Sequence, residues 1–315
     1  MAEIGKDILK AKALLEKGEL VAIPTETVYG LAGNALDTAA VTKIFTVKDR
    51  PQFDPLIVHV ADLEQAIKYS EEIPAKARLL TQKFWPGPLT LLLKRKAIIP
   101  DLVTSGLDTV GVRYPDHSLT RKLLHSISFP LAAPSANPFG YISPTRPEHV
   151  NEQLGDKISY ILDGGPCTIG IESTIVGFKN DHAVVYRLGG LSIEIIEQVV
   201  GKVSVQLHSS SNPTAPGQLK SHYAPTKKVV LGNLPDLIEQ HSKSAFAILS
   251  YQTDFKTTHQ FILSPSGKPE EAAQHLFTGL RTLDKMPVDI ILAELVPEIG
   301  LGRAINDRLR RAAAE

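Results

Sequence analysis

The chain has 315 residues, of which 43% are hydrophobic and 22% are charged, values that are ordinary for a soluble globular protein. Lys plus Arg and Asp plus Glu number 34 each, so no net charge draws the chain toward nucleic acid or a membrane surface. The single cysteine, Cys167, excludes an internal disulfide and fits a reducing compartment. Because the sequence has neither a signal-peptide pattern nor a run of about 18 apolar residues, we expect a cytoplasmic protein that does not span a membrane.

Residues 1–203 alternate between helical and strand-like patterns. An amphipathic helix is predicted to end at Gly18 and to be followed by a strand over 20–23. Further helices are predicted at 38–45, 62–73, 118–127 and 192–201, and further strands at 55–60, 89–95, 109–115, 130–133, 159–165, 173–178 and 183–188. So many strands with fewer helices indicate an α/β domain in which helices pack on a mixed sheet.

Residues 204–227 differ in composition from both flanking regions. Ser, Pro, Gly and Thr dominate this segment, and neither a helical nor a strand period persists in it, which is typical of a linker. Beyond it, residues 228–315 alternate strand and helix again. The sequence therefore predicts a large domain over 1–203, a linker over 204–227 and a small α/β domain over 228–315.

Four cations stand near the ends of predicted elements. Lys48 and Arg50 lie two residues apart, and an extended backbone would place both on one face, as a polyphosphate clamp requires. A solvated charged turn would give the same pattern. Arg113 ends a predicted strand, where its guanidinium suits either bidentate capture of a carboxylate or phosphate or an ordinary ion pair. Arg187 ends another strand, directly before "LGG".

Side chains with hydrogen-bonding groups follow the same strand ends. They include Thr25, Thr27, Ser135, Asn137, Ser143 and Ser173. Helix capping is the competing explanation for Ser143, and His59 at the end of its strand could equally be a core histidine. Because strand ends in α/β sheets converge on one crevice, the pattern predicts a polar ligand site there.

Several common site types are excluded by their motifs. The chain has no G-x-x-x-x-G-K-[ST]; its nearest approach, "SPSGKP" at 264–269, has Ile262 in place of the first glycine. It also has no G-x-G-x-x-G after a strand and no G-x-S-x-G. One cysteine and scattered histidines make a structural zinc site an unfavourable interpretation. Any nucleotide would therefore be held without a Walker loop.

A series of segments occurs in an order that resembles the YrdC-type domain. They are PTETVYGLAGNA, KDRPQFDPLIVHV, FWPGPLTLLL, VGVRYPDH, PLAAPSANPFGYISPT, DGGPCTIGIESTIV and YRLGG. With APGQLKSHYAP in the linker and the α/β unit after it, the whole chain resembles the long-form threonylcarbamoyl-AMP synthase family. The resemblance implies a YrdC-type mixed, twisted sheet whose helices form a concave site, followed by a small Rossmann-like α/β domain.

The resemblance also implies an activity, that of a nucleotidyltransferase. L-threonine, bicarbonate or CO2, and ATP would give threonylcarbamoyl-AMP and pyrophosphate, with magnesium carried on ATP and not by the protein. The product would serve a separate tRNA threonylcarbamoyl transferase complex, and direct tRNA binding stays open. Two alternatives remain: an RNA-binding module, since YrdC-type domains have a concave basic surface, and another carbamoyl transferase, whose larger relatives carry zinc-finger cysteines that this chain lacks.

Site residues are implied by matching motifs position by position. Threonine would be bound by Thr27, His59, Arg113, the Ala133 main chain and Ser173. ATP would be bound by Lys48, Arg50, Asp54, Thr109, Ser135, Asn137, Ser143, Arg187 and Tyr223. Lys48, Arg50 and Arg113 would also be catalytic, and the linker that carries Tyr223 would close over the site as a lid. Two departures stand out: Asp54 replaces the family's usual asparagine, and Gln218 follows "PG" where methionine is more frequent.

Overall fold

The computed structural model describes residues 1–207 and 222–314. In this part of the chain, 11 strands form one mixed sheet in the order β1-β8-β2-β3-β7-β4-β6-β5-β9-β10-β11. Its strands are β1 (Glu3–Gly5), β2 (Val21–Ile23), β3 (Gly30–Asn34), β4 (Ile57–His59), β5 (Leu89–Lys94), β6 (Thr109–Arg113), β7 (Leu131–Ala132), β8 (Tyr160–Leu162), β9 (Thr174–Lys179), β10 (His182–Arg187) and β11 (Ser204–Val205). The predicted mixed α/β sheet is confirmed.

Helices flank this sheet, and three of them begin at an aspartate that caps the first turn. Asp7, Asp37 and Asp62 each accept a hydrogen bond from a main-chain N–H of the first turn that follows. Gly18, just after the first helix, has φ +72°, as the predicted helix end requires. The helices are α1 (Ile8–Glu16), α2 (Thr38–Lys48), α3 (Leu63–Tyr69), α4 (Ala75–Phe84), α5 (Asp101–Thr104), α6 (Ser118–Ser126), α7 (Pro147–Leu154) and α8 (Ile193–Val200).

Strand β3 was not predicted, because its sequence, GLAGN, lacks the alternation typical of a strand. It pairs antiparallel with β2 and continues the sheet toward β7. A Cβ on Gly33 would lie 2.9 Å from Leu20 Cδ2 and 3.3 Å from Ile44 Cδ1, so a side chain there would require both neighbours to shift. Strand β1 and helices α4, α5 and α7 were also missed.

The second sheet has four parallel strands in the order β12-β15-β13-β14. Its elements are β12 (Lys228–Leu231), α9 (Leu234–Gln240), β13 (Phe246–Ser250), β14 (Gln260–Ile262), α10 (Pro269–Asp284), β15 (Ile290–Ala293) and α11 (Gly302–Ala312). The small Rossmann-like unit is confirmed, with β14 as an additional strand.

Helices α10 and α11 pack against the loops of the large sheet. Tyr141 donates a hydrogen bond to Asp284 at 2.6 Å, and Arg281 donates to the Ile142 carbonyl and to Gln153 at 2.8 Å. One cluster of buried apolar side chains runs through both sheets. Across the described ranges, no helix combines the length and apolar character needed to cross a membrane.

The predicted linker begins within regular structure. Its first residues form β11, which pairs parallel with β10 at the edge of the large sheet. Residues 208–221 lie outside the described residues, so the predicted lid lies largely beyond what the structure describes. Residues 222–227 lead into β12 along the interface between the two sheets.

Candidate ligand-binding site

A cavity of about 50 Å³ lies where β4, β6 and β10 end and where the loop before β9 ends. Three arginines from distant parts of the chain line it: Arg50, Arg113 and Arg187. Glu172 supplies a carboxylate. Its other lining residues are Thr25, Val28, Gly30, Pro55, Ile57, His59, Ala133, Pro134, Ser135, Ser173, His222 and Tyr223. An excess of positive charge in a buried, concave site suits an anionic ligand.

Most of the predicted site residues converge on this cavity. The predicted residues that line it are Arg50, His59, Arg113, Ala133, Ser135, Ser173, Arg187 and Tyr223. Five other predicted residues lie behind the lining residues and contact them. Thr27 bonds Thr25 at 2.8 Å, Asp54 pairs with Arg50, and Ser143 donates to Glu172. The carbonyl of Ser135 accepts from Lys48 at 2.5 Å and from the Asn137 N–H.

Thr109 is the exception among the predicted residues. It begins β6, whereas Arg113 at the cavity ends the same strand. Four residues of extended strand separate the two positions by about 13 Å. Thr109 is therefore not among the residues that line the cavity, and its contact with ATP stays a prediction.

The backbone at Lys48 and Asp49 is not extended, so the condition for placing Lys48 and Arg50 on one face of a strand is not met. Lys48 is the last residue of α2, and Asp49 turns the chain with φ 53° in the left-handed region. Lys48 is 1% exposed and donates to the carbonyls of Ser135 and Asn137. Burial lowers the pKa of Lys48 well below its ordinary value, and the charge on Arg50 acts in the same direction.

Asp54 is the counter-ion of Arg50. Its Oδ2 lies 2.9 Å from Arg50 Nη2, and Arg50 also donates to the carbonyls of Asp54 and Pro55 at 3.0 and 2.8 Å. Burial raises the pKa of Asp54, and the charges of Arg50 and Lys48 oppose that shift. The unusual aspartate thus lies behind the cavity wall, in a buried ion pair.

Arg113 forms a buried ion pair while it lines the cavity. Its Nη2 lies 2.6 Å from Glu26 Oε1, and its Nε donates to the Gly87 carbonyl at 3.3 Å. Glu26 is fixed in turn by the Asp116 N–H at 3.0 Å. Among the described residues, Nη1 of Arg113 has no acceptor. Arg113 can therefore serve both in an ion pair and in the capture of an anion, because Nη2 pairs with Glu26 while Nη1 remains available to a ligand.

Arg187 has only neutral acceptors within the described ranges. Its Nε and Nη2 donate to the carbonyl and Oγ of Ser173 at 3.0 and 2.9 Å, and Ser173 also bonds Thr90 at 2.8 Å. Burial lowers the pKa of Arg187 to about 10, so it stays protonated at neutral pH. Its charge is thus available to an anion.

His59 is buried at the end of β4 beside Arg113, its partner in register on β6. Burial, assisted by the charge of Arg113, lowers the pKa of His59 to about 3. The imidazole is therefore neutral at physiological pH and can bond a ligand but cannot serve as its counter-ion.

We expect His59 to make the protein less stable in acid. The unfolded pKa of about 6.5 exceeds the folded value of about 3, so the stabilising contribution is complete above pH 6.5 and is lost as the pH falls toward 3. At pH 5 the loss amounts to about 2 kcal/mol. Urea unfolding of the wild type and His59→Gln at pH 7 and pH 5 measures it, and equal losses in both proteins would contradict this assignment.

Sequence reasoning missed the contribution of the C-terminal unit to the site. The Tyr223 ring stacks on Phe277 of α10 with centroids 5.6 Å apart, and the guanidinium of Arg308 on α11 lies 5.0 Å from the Tyr223 centroid. His222 beside it contacts Phe139 edge to face. These residues carry no motif and lie far along the chain from the residues they meet, so spacing gave no signal.

Comparisons with known proteins match both parts of the chain. Residues 13–189 match the family model described as "Telomere recombination", and residues 191–314 match "Threonylcarbamoyl-AMP synthase, C-terminal domain". The threonylcarbamoyl-AMP synthase of Pyrococcus abyssi is 42% identical over 317 residues, which cover 96% of this chain and 93% of the relative. The chain belongs to the threonylcarbamoyl-AMP synthase family. The threonylcarbamoyl-AMP synthase of Bacillus subtilis is 41% identical, and the match covers 97% of this chain and 92% of the relative.

Solved structures of the family support the two-domain architecture. The crystal structure of Pyrococcus abyssi Sua5 in complex with L-threonine aligns with a TM-score of 0.94 at 39% identity, over 99% of this chain and 97% of that one. A full-length HypF structure aligns with a TM-score of 0.53 at 24% identity, over 59% of this chain and 29% of that one. At this level of identity, the second likeness concerns the fold alone.

Proposed function

We propose that the cavity forms threonylcarbamoyl-AMP and pyrophosphate from L-threonine, bicarbonate or CO2, and ATP. The observation that carries this proposal is the convergence of Arg50, Arg113 and Arg187 on one buried cavity in a member of this family. A carboxylate, a carbamate and a triphosphate are all anionic, and each needs charge-assisted donors once water is excluded.

Threonine would lie beside Arg113 and His59. The unpaired side of the Arg113 fork would take the carboxylate, and the neutral His59 together with Ser173 would bond uncharged groups. Thr27 would contribute to the threonine site together with Thr25, which lines the cavity and bonds Thr27 at 2.8 Å. A site with buried hydroxyls rejects an analogue that leaves them unpaired.

The nucleotide would occupy the side of Arg50, Arg187 and Tyr223. The threonine amine captures CO2 to give a carbamate, whose oxygen attacks the α-phosphorus as the bond to the pyrophosphate oxygen breaks. These steps need no protein nucleophile, so positioning and neutralisation of charge would supply most of the rate. Tyr223 has an apolar face for the nucleotide and a hydroxyl for a hydrogen bond.

Magnesium would arrive on the phosphates of ATP. The described residues contain no cluster of three or more His, Cys, Asp or Glu side chains suited to a metal, and the buried Asp54 already pairs with Arg50. A magnesium ion held mainly by substrate oxygens would neutralise phosphate charge. Arg50 and Arg187 would supply the rest of that neutralisation.

The test is a product assay. The protein is incubated with labelled bicarbonate, ATP and threonine, and the labelled adenylate and pyrophosphate are measured. We expect both products only when all three substrates are present. Pyrophosphate that does not depend on threonine, or RNA binding without any product, would contradict the proposed activity.

Lys48→Ala and Arg50→Ala are expected to weaken ATP binding more than threonine binding, each by about tenfold or more. The double variant should lose less than the product of the two factors, because both cations belong to one buried cluster with Asp54. Calorimetry with each substrate measures the effects, and Lys43→Ala on the solvent face of α2 is the control. Equal losses for both substrates would indicate a folding defect.

The proposed activity implies a role for each part of the chain and a use for threonylcarbamoyl-AMP. Residues 1–203 would form the catalytic domain, 204–227 a connecting lid and 228–315 the C-terminal domain. The adenylate would pass in the cytoplasm to a separate tRNA threonylcarbamoyl transferase complex, which makes the modified adenosine. Tyr223, buried at the cavity and held by Phe277, is the observation that supports closure by the lid.

A further inference from the structure

Helix α11 of the C-terminal unit sends a fully buried arginine to the wall of the cavity. Arg308 is 0% exposed, and its Nε lies 3.1 Å from Oε2 of the cavity-lining Glu172. Its Nη1 lies 2.9 Å from Asp307, and its Nη2 has no partner among the described residues. The other oxygen of Glu172 accepts a hydrogen bond from Ser143 at 2.5 Å. Glu172 is therefore fixed from both sides.

The position of the Glu172 carboxylate matters because of the other charges around the cavity. Arg50 has Asp54 as its counter-ion and Arg113 has Glu26. Arg187 forms no ion pair within the described ranges and donates only to Ser173, the residue directly after Glu172. The negative charge of Glu172 already acts on Arg187, where it opposes the lowering of the pKa by burial, although the two groups form no ion pair. Glu172 is thus an acidic group near enough to compete for Arg187.

We propose that Arg308 is a positioning residue that holds Glu172 away from Arg187, so that Arg187 stays available to the anionic part of the nucleotide. The C-terminal domain thereby completes the electrostatics of the catalytic site. The same guanidinium lies over the Tyr223 ring at 5.0 Å, so one side chain ties the cavity wall to the segment that enters from the linker. This inference deepens the proposed function and rests on it.

Removal of Arg308 has a defined electrostatic consequence. Glu172 would lose its buried counter-ion, and a buried carboxylate without one must pair elsewhere or take up a proton. Arg187 is the neighbouring cation without an ion pair, so Glu172 would compete there with the phosphates of ATP. Threonine, which the proposed function places at Arg113, would be affected much less.

The experiment uses the full-length chain and ATP itself. Arg308→Met removes the charge and keeps much of the volume. We expect it to weaken ATP binding and to raise the KM for ATP by about tenfold or more, while the KM for threonine changes by less than about threefold. The double variant Arg308→Met/Glu172→Gln should recover most of the affinity for ATP, because the amide can still accept from Ser143 but carries no charge to compete at Arg187. Arg310→Met, an exposed arginine of the same helix that pairs with Glu298, is the matched control and should behave as wild type.

Each outcome decides the proposal. Equal increases in both KM values, or a double variant no better than Arg308→Met, would show that Arg308 acts only through packing and would overturn it. If Arg308→Met does not fold, Arg308→Lys replaces it, and its weakened ATP binding must again be relieved by Glu172→Gln. ATP binding is measured without turnover, so it tests the role of Arg308 separately from the proposed activity. A wild-type chain that binds ATP but makes no adenylate would refute the proposed function. The ATP affinities of the variants would then still decide whether Arg308 acts through Glu172.

Discussion

Arg113→Ala is expected to lower the affinity for threonine by about 30-fold to 1,000-fold while ATP binding stays within about threefold. A charge-assisted, forked contact with a carboxylate contributes on the order of 2–4 kcal/mol in a buried site. Arg113 lines the cavity with one guanidinium nitrogen free of acceptors among the described residues, and it ends β6 beside His59 of β4. Threonine is measured by calorimetry at saturating ATP, and ATP is measured alone. Normal saturation by threonine would refute the assignment.

The buried ion pair with Glu26 requires a control for stability. Removing one partner of such a pair costs about 3–5 kcal/mol because the remaining charge stays buried and unpaired. The double variant Arg113→Ala/Glu26→Gln should recover much of the unfolding free energy but none of the threonine affinity. Arg121→Ala, which removes an exposed arginine that pairs with Asp116, should alter neither quantity by much. If Arg113→Ala/Glu26→Gln regained threonine binding, the loss in Arg113→Ala would be a folding effect.

The sequence predicted those parts of the site that are attached to regular elements. Strand patterns placed His59, Arg113 and Arg187 at strand ends, and a sheet brings such ends together regardless of their separation in sequence. The same patterns located the two α/β units and most element ends within a few residues. Where the pattern was weak, as in the glycine-rich β3, the element was missed.

Pairing partners could not be predicted in the same way. Glu172 and Arg308 lie 136 residues apart, and their contact depends on how α11 packs against the large sheet. Asp54 stood out in the sequence only as a departure from the family's usual asparagine, and its ion pair with Arg50 could not be predicted from the sequence. Thr109, which begins β6 at the end away from Arg113, stays a prediction that rests on the motif match alone.

Gly189→Ala is expected to reduce activity by about 100-fold or more and to lower the unfolding free energy by about 3 kcal/mol. A Cβ at this position would lie 2.3 Å from the Glu172 carbonyl oxygen, 2.4 Å from Ser173 C and 2.5 Å from Thr174 N. All three atoms belong to the main chain, so no side chain can rotate away and the backbone itself must move. That backbone carries two cavity-lining residues.

The displacement would act on the cavity from two sides at once. Arg187, two residues before Gly189, is positioned by its bonds to the Ser173 carbonyl and hydroxyl, so a shift of that segment moves its guanidinium as well. Gly232→Ala is the matched control, because the added Cβ there meets the flexible end of Leu237 at 3.2 Å, which can yield. We therefore expect the turnover of threonine, ATP and bicarbonate to fall much further in Gly189→Ala than in Gly232→Ala at equal amounts of folded protein. Similar turnover in the two variants would show that the close approach of Gly189 to the main chain before β9 is not needed for activity. The requirement for glycine at 189 would then affect only the packing of the protein.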